Sequence, residues 1–153
     1  MTTEFPGPIG PGNFSFFGLS SVSFFEVDLK PKNSRSPRSG AWEPPGYVSA
    51  KDRRGKYVFN RSHILGDRFS GKWIRENIFT GFKQMNDPGM KRCENRMAGA
   101  LASGDMLLYS GRLIYGNGRE NSPTGIHMTA IVKGNLLFGG KFVENRPGPQ
   151  VTC

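Results

Sequence analysis

The hydrophobic positions along the chain predict several short strands and one principal helix. Residues 14–29, FSFFGLSSVSFFEVDL, are rich in aromatic and β-branched residues and predict one or two strands. The apolar residues 57–59 of GKYVFN predict a short strand that ends before the polar residues 60–63. Near the C-terminus, DMLLYSGRLIYGNG predicts another strand, and TGIHMTAIVKGNLLFGGKFVEN predicts a hairpin that turns at Lys133-Gly134-Asn135.

The strongest helical signal lies between Asp87 and Gly104. Asp87 suits the N-cap, Pro88 suits the first helical position, and Gly104 suits the left-handed position that ends a helix. The apolar residues at helical spacing, which predict the buried face, are Met90, Cys93, Met97 and Leu101. Residues 66–86 have weak periodicity and several glycines, and predict a loop with short helical pieces.

Strands, one principal helix and then further strands predict an α+β fold with an antiparallel sheet. Residues 1–13 are rich in proline and glycine and predict a flexible lead-in, so that residues 14–153 form a single domain. Residues 30–47 are polar, basic and proline-rich, and predict a long surface loop.

The charge of the chain indicates a polyanionic partner. It carries 21 Lys and Arg residues against 12 Asp and Glu residues, a formal net charge of +9. Charge of this size concerns partners more than fold, and nucleic acid is the first candidate. A solvated basic surface with no such partner is the alternative.

The chain has no run of about 18 apolar residues, so we expect no membrane insertion. The N-terminus lacks a basic region followed by an uninterrupted apolar stretch, so we predict no signal peptide within it. Cys93 and Cys153 give no zinc spacing. We expect Cys93 to be a small buried residue, with a disulfide to Cys153 as the less favoured alternative.

The run NRSH contains the first candidate for chemistry. His63 follows the predicted strand, and a histidine is mostly a neutral base near pH 7. Arg61 can fork onto two phosphate oxygens, so a base beside a phosphate clamp suits phosphodiester hydrolysis. The alternatives are a structural histidine, or a serine hydrolase that uses Ser62, for which no convincing acid partner is visible.

Two further candidates lie near the start of the helix. Asn86 precedes the predicted cap, and its amide oxygen could ligate Mg²⁺ near the helix N-terminus; an ordinary capping role is the alternative. Helical periodicity places Glu94 about 80° from Asn86, at the border of the apolar stripe. Glu94 could hold a metal-bound water, or pair with Arg61 or Arg92.

Four blocks of sequence resemble a known family. The blocks are YVFNRSHILG, ENIFTGFKQMNDPGMKRCENRM, LLYSGRLIY and TGIHMTA. Between Trp42 and Pro147 their order and spacing resemble the DNA/RNA non-specific endonucleases, in particular the bacterial DNA-entry nucleases. The resemblance implies a ββα-metal nuclease core with one catalytic divalent ion, Mg²⁺ or alternatively Mn²⁺, and DNA or RNA as substrate.

The resemblance also implies roles for single residues. His63 matches the general base, Asn86 the residue that binds the metal directly, and Glu94 the helix glutamate near the hydrated metal. Asn77 matches an asparagine with a supporting catalytic role. The arginines expected to bind substrate phosphates are Arg61, Arg68, Arg35 and Arg38.

Two positions depart from the family pattern, since Asn60 stands where Asp is most frequent and Ser62 where Gly is frequent. The departures concern how the His63 ring is oriented. The main alternative function is a basic nucleic-acid-binding domain without catalysis. For the biological setting we expect a secreted nuclease or a delivered toxin domain; a toxin would need an immunity or inhibitor protein.

Overall fold

The computed structural model describes residues 43–69, 71–116, 121–150 and 152–153 in full, and residues 22–27 by their backbone. Within these ranges the chain forms one regular α-helix, α1 (Lys91–Ala102), preceded by a 3-10 helix (Asp67–Phe69) and a π-helical turn (Met85–Met90, the π-turn). The strands in the same ranges are β1 (Val22–Val27), β2 (Phe59–His63), β3 (Ile78–Phe82), β4 (Leu107–Ile114), β5 (Gly125–Val132) and β6 (Asn135–Glu144).

The described strands form two antiparallel sheets. One has the order β1-β4-β5-β6 and the other consists of β2 and β3. Every second residue of β4 from Leu107 to Leu113 is buried, because successive side chains of a strand point to opposite faces. The buried face of α1 packs with this face of the sheet. Of the predicted stripe, Met90 in the π-turn and Cys93 and Met97 in α1 are buried, and Leu101 is partly buried against the same core. The α+β architecture predicted from the sequence is therefore confirmed.

The predicted C-terminal hairpin is confirmed, including its turn. β5 and β6 pair from Gly125↔Glu144 to Val132↔Asn135, with shifts of register on either side of Ala130. The connecting residues Lys133 and Gly134 both have positive φ angles, 52° and 75°. Two such residues in succession are what a two-residue hairpin turn requires, because its twist then matches that of the strands.

The predicted boundary of the strand before His63 is wrong. The ladder does not end at Phe59 but begins there, and His63 is the last residue of β2. The cause is the partner strand β3, which lies in a segment that the sequence predicted to be a loop. Residues 78–81 of β3 are all buried, so the alternation that marks a half-exposed strand is missing.

The start of the helix agrees with the prediction at Asp87 and Pro88. Asp87 has extended angles, φ −137° and ψ 109°, which suit an N-cap, and Pro88 follows it as the first helical residue. Residues 83–86 form a short helical piece before this break, and Asn86 ends that piece inside the π-turn. The carboxylate of Asp87 accepts a hydrogen bond from Lys91 Nζ at 3.1 Å. The C-terminal end agrees with the prediction, since Gly104 has a φ angle of 83°.

The two cysteines form a disulfide, against our preference for a free buried Cys93. Cys93 is completely buried on α1, and it is joined to Cys153 across 60 residues of sequence. The C-terminal segment is also held by a hydrogen bond from Thr152 Oγ1 to Gly89 O in the π-turn. Spacing alone could not predict this pairing, because it depends on the path of the chain after β6.

Several predictions concern residues outside the described ranges. They are the lead-in of residues 1–13, the first part of the strand region 14–29, and most of the loop that contains Arg35 and Arg38. Among the described residues, no helix is long and apolar enough to cross a membrane.

We predict that the disulfide stabilises the fold. Replacing both Cys93 and Cys153 by Ala should lower the free energy of unfolding by about 2–4 kcal/mol, because a long loop is then no longer closed in the unfolded chain. The measurement is urea denaturation with and without dithiothreitol. Reductant should destabilise the parent and leave the double variant unchanged; equal sensitivity of the two proteins would contradict the prediction.

Candidate active site

The functional face of β2 is set by the alternation of its side chains. Arg61 and His63 lie on the same side of the strand and line one cleft, with a volume of about 610 Å³. Ser62 points to the opposite side, is only 1% exposed and packs over Gly81, whose missing side chain leaves room for it. A buried Ser62 that points away from His63 cannot serve as the nucleophile of a serine hydrolase.

His63 is held by the pairing of β2 with β3 and by an aromatic neighbour. Its backbone lies opposite Ile78 in the ladder. Its ring meets the ring of Trp73 edge to face, with centroids 4.3 Å apart. The imidazole therefore occupies a defined position at the end of the strand.

The segment that follows His63 is fixed by Asn77, which is completely buried. The Asn77 side chain accepts a hydrogen bond from Leu65 N at 2.9 Å and donates to Leu65 O at 2.9 Å and to Lys72 O at 3.0 Å. Tyr109 adds a hydrogen bond from its hydroxyl to Ile64 O at 2.8 Å. The structure thus places Asn77 behind the site, where it holds the backbone next to His63.

Asn86 is presented by the π-turn. Lys91 N donates a hydrogen bond to Asn86 O, five residues earlier, which is the π-helical pattern. Gly89 allows the turn to pack closely, since a Cβ at this position would lie 2.8 Å from Val143 Cγ1. The helical-periodicity argument that related Asn86 to Glu94 therefore does not hold, because Asp87 breaks the helix between them.

The structure nevertheless brings these side chains together. A second depression, here called the hollow, adjoins the cleft and has a volume of about 280 Å³. His63 and Asn86 line both the cleft and the hollow, so they form the boundary between them. The residues that line the hollow are His63, Gly66, Asp67, Arg68, Asn86, Asp87, Lys91 and Glu94.

Glu94 is a carboxyl group of the hollow that is strongly perturbed by its surroundings. Desolvation by burial raises its pKa from 4.5 to about 7, in spite of the opposing charges of Arg68 and Lys91. Its Oε1 lies so close to Gly66 that a Cβ there would be 2.8 Å away. The cations near Glu94 are thus Arg68 and Lys91, and not the predicted Arg61 or Arg92.

The predicted phosphate-binding arginines lie in different places. Arg61 lines the cleft, where its guanidinium pairs with Glu43 and lies 4.1 Å from the ring centroid of Tyr47. Arg68 lines the hollow and donates a hydrogen bond to Asn95 Oδ1 at 2.9 Å. Arg35 and Arg38 fall outside the described ranges.

Sequence reasoning missed several residues of the site. Asp67 and Lys91 line the hollow, and Tyr47 and Trp73 line the cleft. Only the folded loops bring them near His63, so local patterns gave no signal. In the described part of the chain, no group of three or more His, Cys, Asp or Glu side chains could hold a metal. A metal at this site would therefore depend on Asn86, on water and on oxygens of a substrate.

Comparison with known proteins identifies a family. Residues 15–134 match the family described as DNA/RNA non-specific endonuclease. No curated protein matches the chain.

The fold is similar to solved nuclease structures. NucA from Streptococcus agalactiae with a magnesium ion bound superimposes with a TM-score of 0.68 at 15% identity, covering 84% of this chain and 65% of NucA. The same protein with no metal bound gives 0.64 at 16% identity, with the same coverage. The Sda1 nuclease with a bound zinc ion gives 0.58 at 24% identity, covering 65% of this chain and 44% of Sda1. The chain thus spans less than two thirds of either protein.

We predict that Glu94 reduces stability when it is ionised. Because its pKa is higher in the folded protein than in the unfolded chain, stability is lost as the pH rises from about 4.5 to about 7. In EDTA, Glu94→Gln should therefore raise the free energy of unfolding by about 2 kcal/mol at about pH 8, allowing for partial exposure, and change it little at about pH 4.5.

The measurement is urea denaturation of both proteins at the two pH values. The exposed carboxylate Glu144 on β6 provides the control, and Glu144→Gln should show no such dependence on pH. If the free energy of unfolding falls equally for Glu94→Gln and the parent between the two pH values, the buried Glu94 carboxylate does not destabilise the folded protein, and the prediction is wrong.

Proposed function

The chain belongs to the DNA/RNA non-specific endonuclease family, and from this premise we propose that it is a metal-dependent endonuclease that hydrolyses DNA or RNA with little regard for sequence. The observation that carries the proposal is the convergence of His63, Asn86 and Glu94 on the hollow. These three side chains come from different elements, β2, the π-turn and α1. A general base, a neutral oxygen ligand and a carboxylate in one place are suited to phosphodiester hydrolysis.

The donors of the hollow fit a hard, hydrated cation. Asn86 would hold Mg²⁺ or Mn²⁺ through its amide oxygen, and the Glu94 carboxylate would accept hydrogen bonds from the water around the ion. Zinc suits this donor set less well, because it usually takes three or four protein ligands. The magnesium ion bound to NucA and the zinc ion bound to Sda1 support a divalent metal, and the choice of magnesium rests on the donor set of this chain. When bound, the ion would neutralise charge on the phosphate and on the departing 3′-oxygen.

Three protein residues have the other roles in the proposed reaction. His63 accepts a proton from the water that attacks phosphorus, and its contact with Trp73 keeps the ring in position. Arg61 exchanges its pairing with Glu43 for the non-bridging oxygens of the phosphate, which it can bind in a forked geometry. Asn77 is a positioning residue that fixes the backbone after His63.

Base edges have no part in this chemistry, since contacts to the phosphate backbone carry no sequence information. The net charge of +9 supports attraction of the polyanion. Arg68 at the rim of the hollow is the described arginine best placed to contact a neighbouring phosphate.

We also infer that the protein acts in an oxidising environment, as a secreted nuclease or a delivered toxin. The disulfide between Cys93 and Cys153 supports this setting, because such bonds persist outside the reducing cytosol. For a toxin, an immunity or inhibitor protein that covers the cleft and the hollow would protect the producing cell.

We predict that His63→Ala lowers plasmid cleavage by at least about 10³-fold, because the attacking water loses its general base. Circular dichroism and DNA binding in EDTA should remain as in the parent. The matched control is His127→Ala, since the ring of His127 stacks on Phe142 in the large sheet, away from the hollow. Full activity of His63→Ala would refute the assignment, and a parent without cleavage would favour a binding domain without catalysis.

We predict that Asn86→Ala raises the Mg²⁺ concentration for half-maximal cleavage at least about tenfold, since even indirect neighbours of a metal alter affinity by about 10–100-fold. Binding of Mn²⁺, followed by electron paramagnetic resonance, should weaken in parallel. Asn135→Ala, at the exposed first position of β6, serves as the control. An unchanged metal requirement for Asn86→Ala would exclude Asn86 as the ligand.

A further inference from the structure

The cleft extends from His63 along the preceding residues of the same strand, in the direction away from the hollow. Tyr57, Phe59, Arg61 and His63 alternate in sequence, and all four line the cleft. At about 3.3 Å per residue, Tyr57 lies up to about 20 Å from His63 along an extended chain. The cleft therefore extends well beyond the space that one reacting phosphate needs.

The walls of this extension are aromatic. Tyr47 and Trp73 line the cleft together with Tyr57 and Phe59. Tyr57 is 50% exposed, so packing of the core does not account for its position. Tyrosine rings with an accessible face are the groups on which nucleic-acid bases stack.

The outer end of the cleft is basic. Residues 50–58 form a small hairpin, in which Lys51 bridges to Tyr57 and Val58 N donates to Ala50 O. Asp52 fixes its turn by accepting hydrogen bonds from Arg54 N at 2.8 Å and Lys56 N at 2.9 Å. The exposed cations that this hairpin presents are Lys51, Arg53, Arg54 and Lys56.

Cations and aromatic rings are also in direct contact here. Lys51 Nζ lies 5.0 Å from the ring centroid of Tyr57, and the Arg61 guanidinium covers the ring of Tyr47. Cations beside an exposed aromatic ring are an arrangement that binds single strands, because phosphates meet the cations while a base stacks on the ring. Bases in an intact duplex are stacked on each other and cannot reach such rings.

We propose that the cleft is a subsite for unpaired nucleotides that flank the phosphate to be cut, with a base stacked on Tyr57. The proposal rests on the proposed nuclease function and deepens it by naming the substrate class: single-stranded nucleic acid, or duplex from which a base has been extruded. The cleft volume of about 610 Å³ lies within the usual range for a ligand of nucleotide size.

The test compares Tyr57→Ala with the parent in EDTA, by fluorescence anisotropy with a short single-stranded oligonucleotide. A strand of the same length whose central nucleotides are abasic supplies the phosphates without the bases. We expect Tyr57→Ala to raise Kd for the normal strand about tenfold and to leave Kd for the abasic strand unchanged. Tyr57→Phe retains the ring and should bind both strands as the parent does.

Three results would overturn the proposal: an unchanged Kd of Tyr57→Ala for the normal strand, an equal loss on the abasic strand, or binding of the matching duplex by the parent as tight as that of the single strand. Cleavage assays distinguish a failure of the nuclease proposal from a failure of the subsite proposal. A parent that shows the expected binding pattern but no metal-dependent cleavage would refute the nuclease proposal and leave the subsite. A parent that cleaves, with no effect of Tyr57→Ala on either strand, would refute the subsite alone.

Discussion

The site depends on the hydrogen bonds of one buried carboxamide. Asn77 binds both backbone groups of Leu65 and the carbonyl of Lys72, and its own carbonyl accepts a hydrogen bond from Ile64 N. These bonds close the segment between β2 and β3, so that the residue after His63 cannot move independently of the ladder. A buried amide with its partners in place is costly to disturb, because each lost partner leaves a polar group without water. Asn77 therefore holds the backbone beside His63 without lining the hollow.

The positions of Asn86 and Glu94 follow from the elements that are connected to the β2–β3 pair. β3 leads directly into the π-turn, which carries Asn86, and the π-turn leads into α1, which carries Glu94. Asn145 joins the other sheet to this unit, since its side chain donates to Thr80 O and accepts from Phe82 N. The disulfide and Thr152 fasten the C-terminus over the same turn. The large sheet thus serves as a support, and the smaller pair with its helix carries the residues of the candidate site.

Much of this arrangement could be predicted from the sequence where the pattern is local. The stripe of α1 and the β5–β6 turn depend on neighbouring residues, and both were placed correctly. β3 was missed because its residues are buried on both faces, so its sequence lacks the alternation that marks a half-exposed strand. Tyr47 and Trp73 join the cleft through loops, which no periodicity describes. The roles proposed for His63, Asn86 and Glu94 came from their residue types and from a family resemblance, and the fold brings the three side chains to one hollow.

The most direct test of this site is the position of the metal. Crystals of the protein grown with Mn²⁺ should show one strong anomalous difference peak next to the side-chain oxygen of Asn86, on the side that faces His63 and Glu94. A peak elsewhere on the protein, with none in the hollow, would contradict the central claim that these three side chains form a single metal-dependent active site.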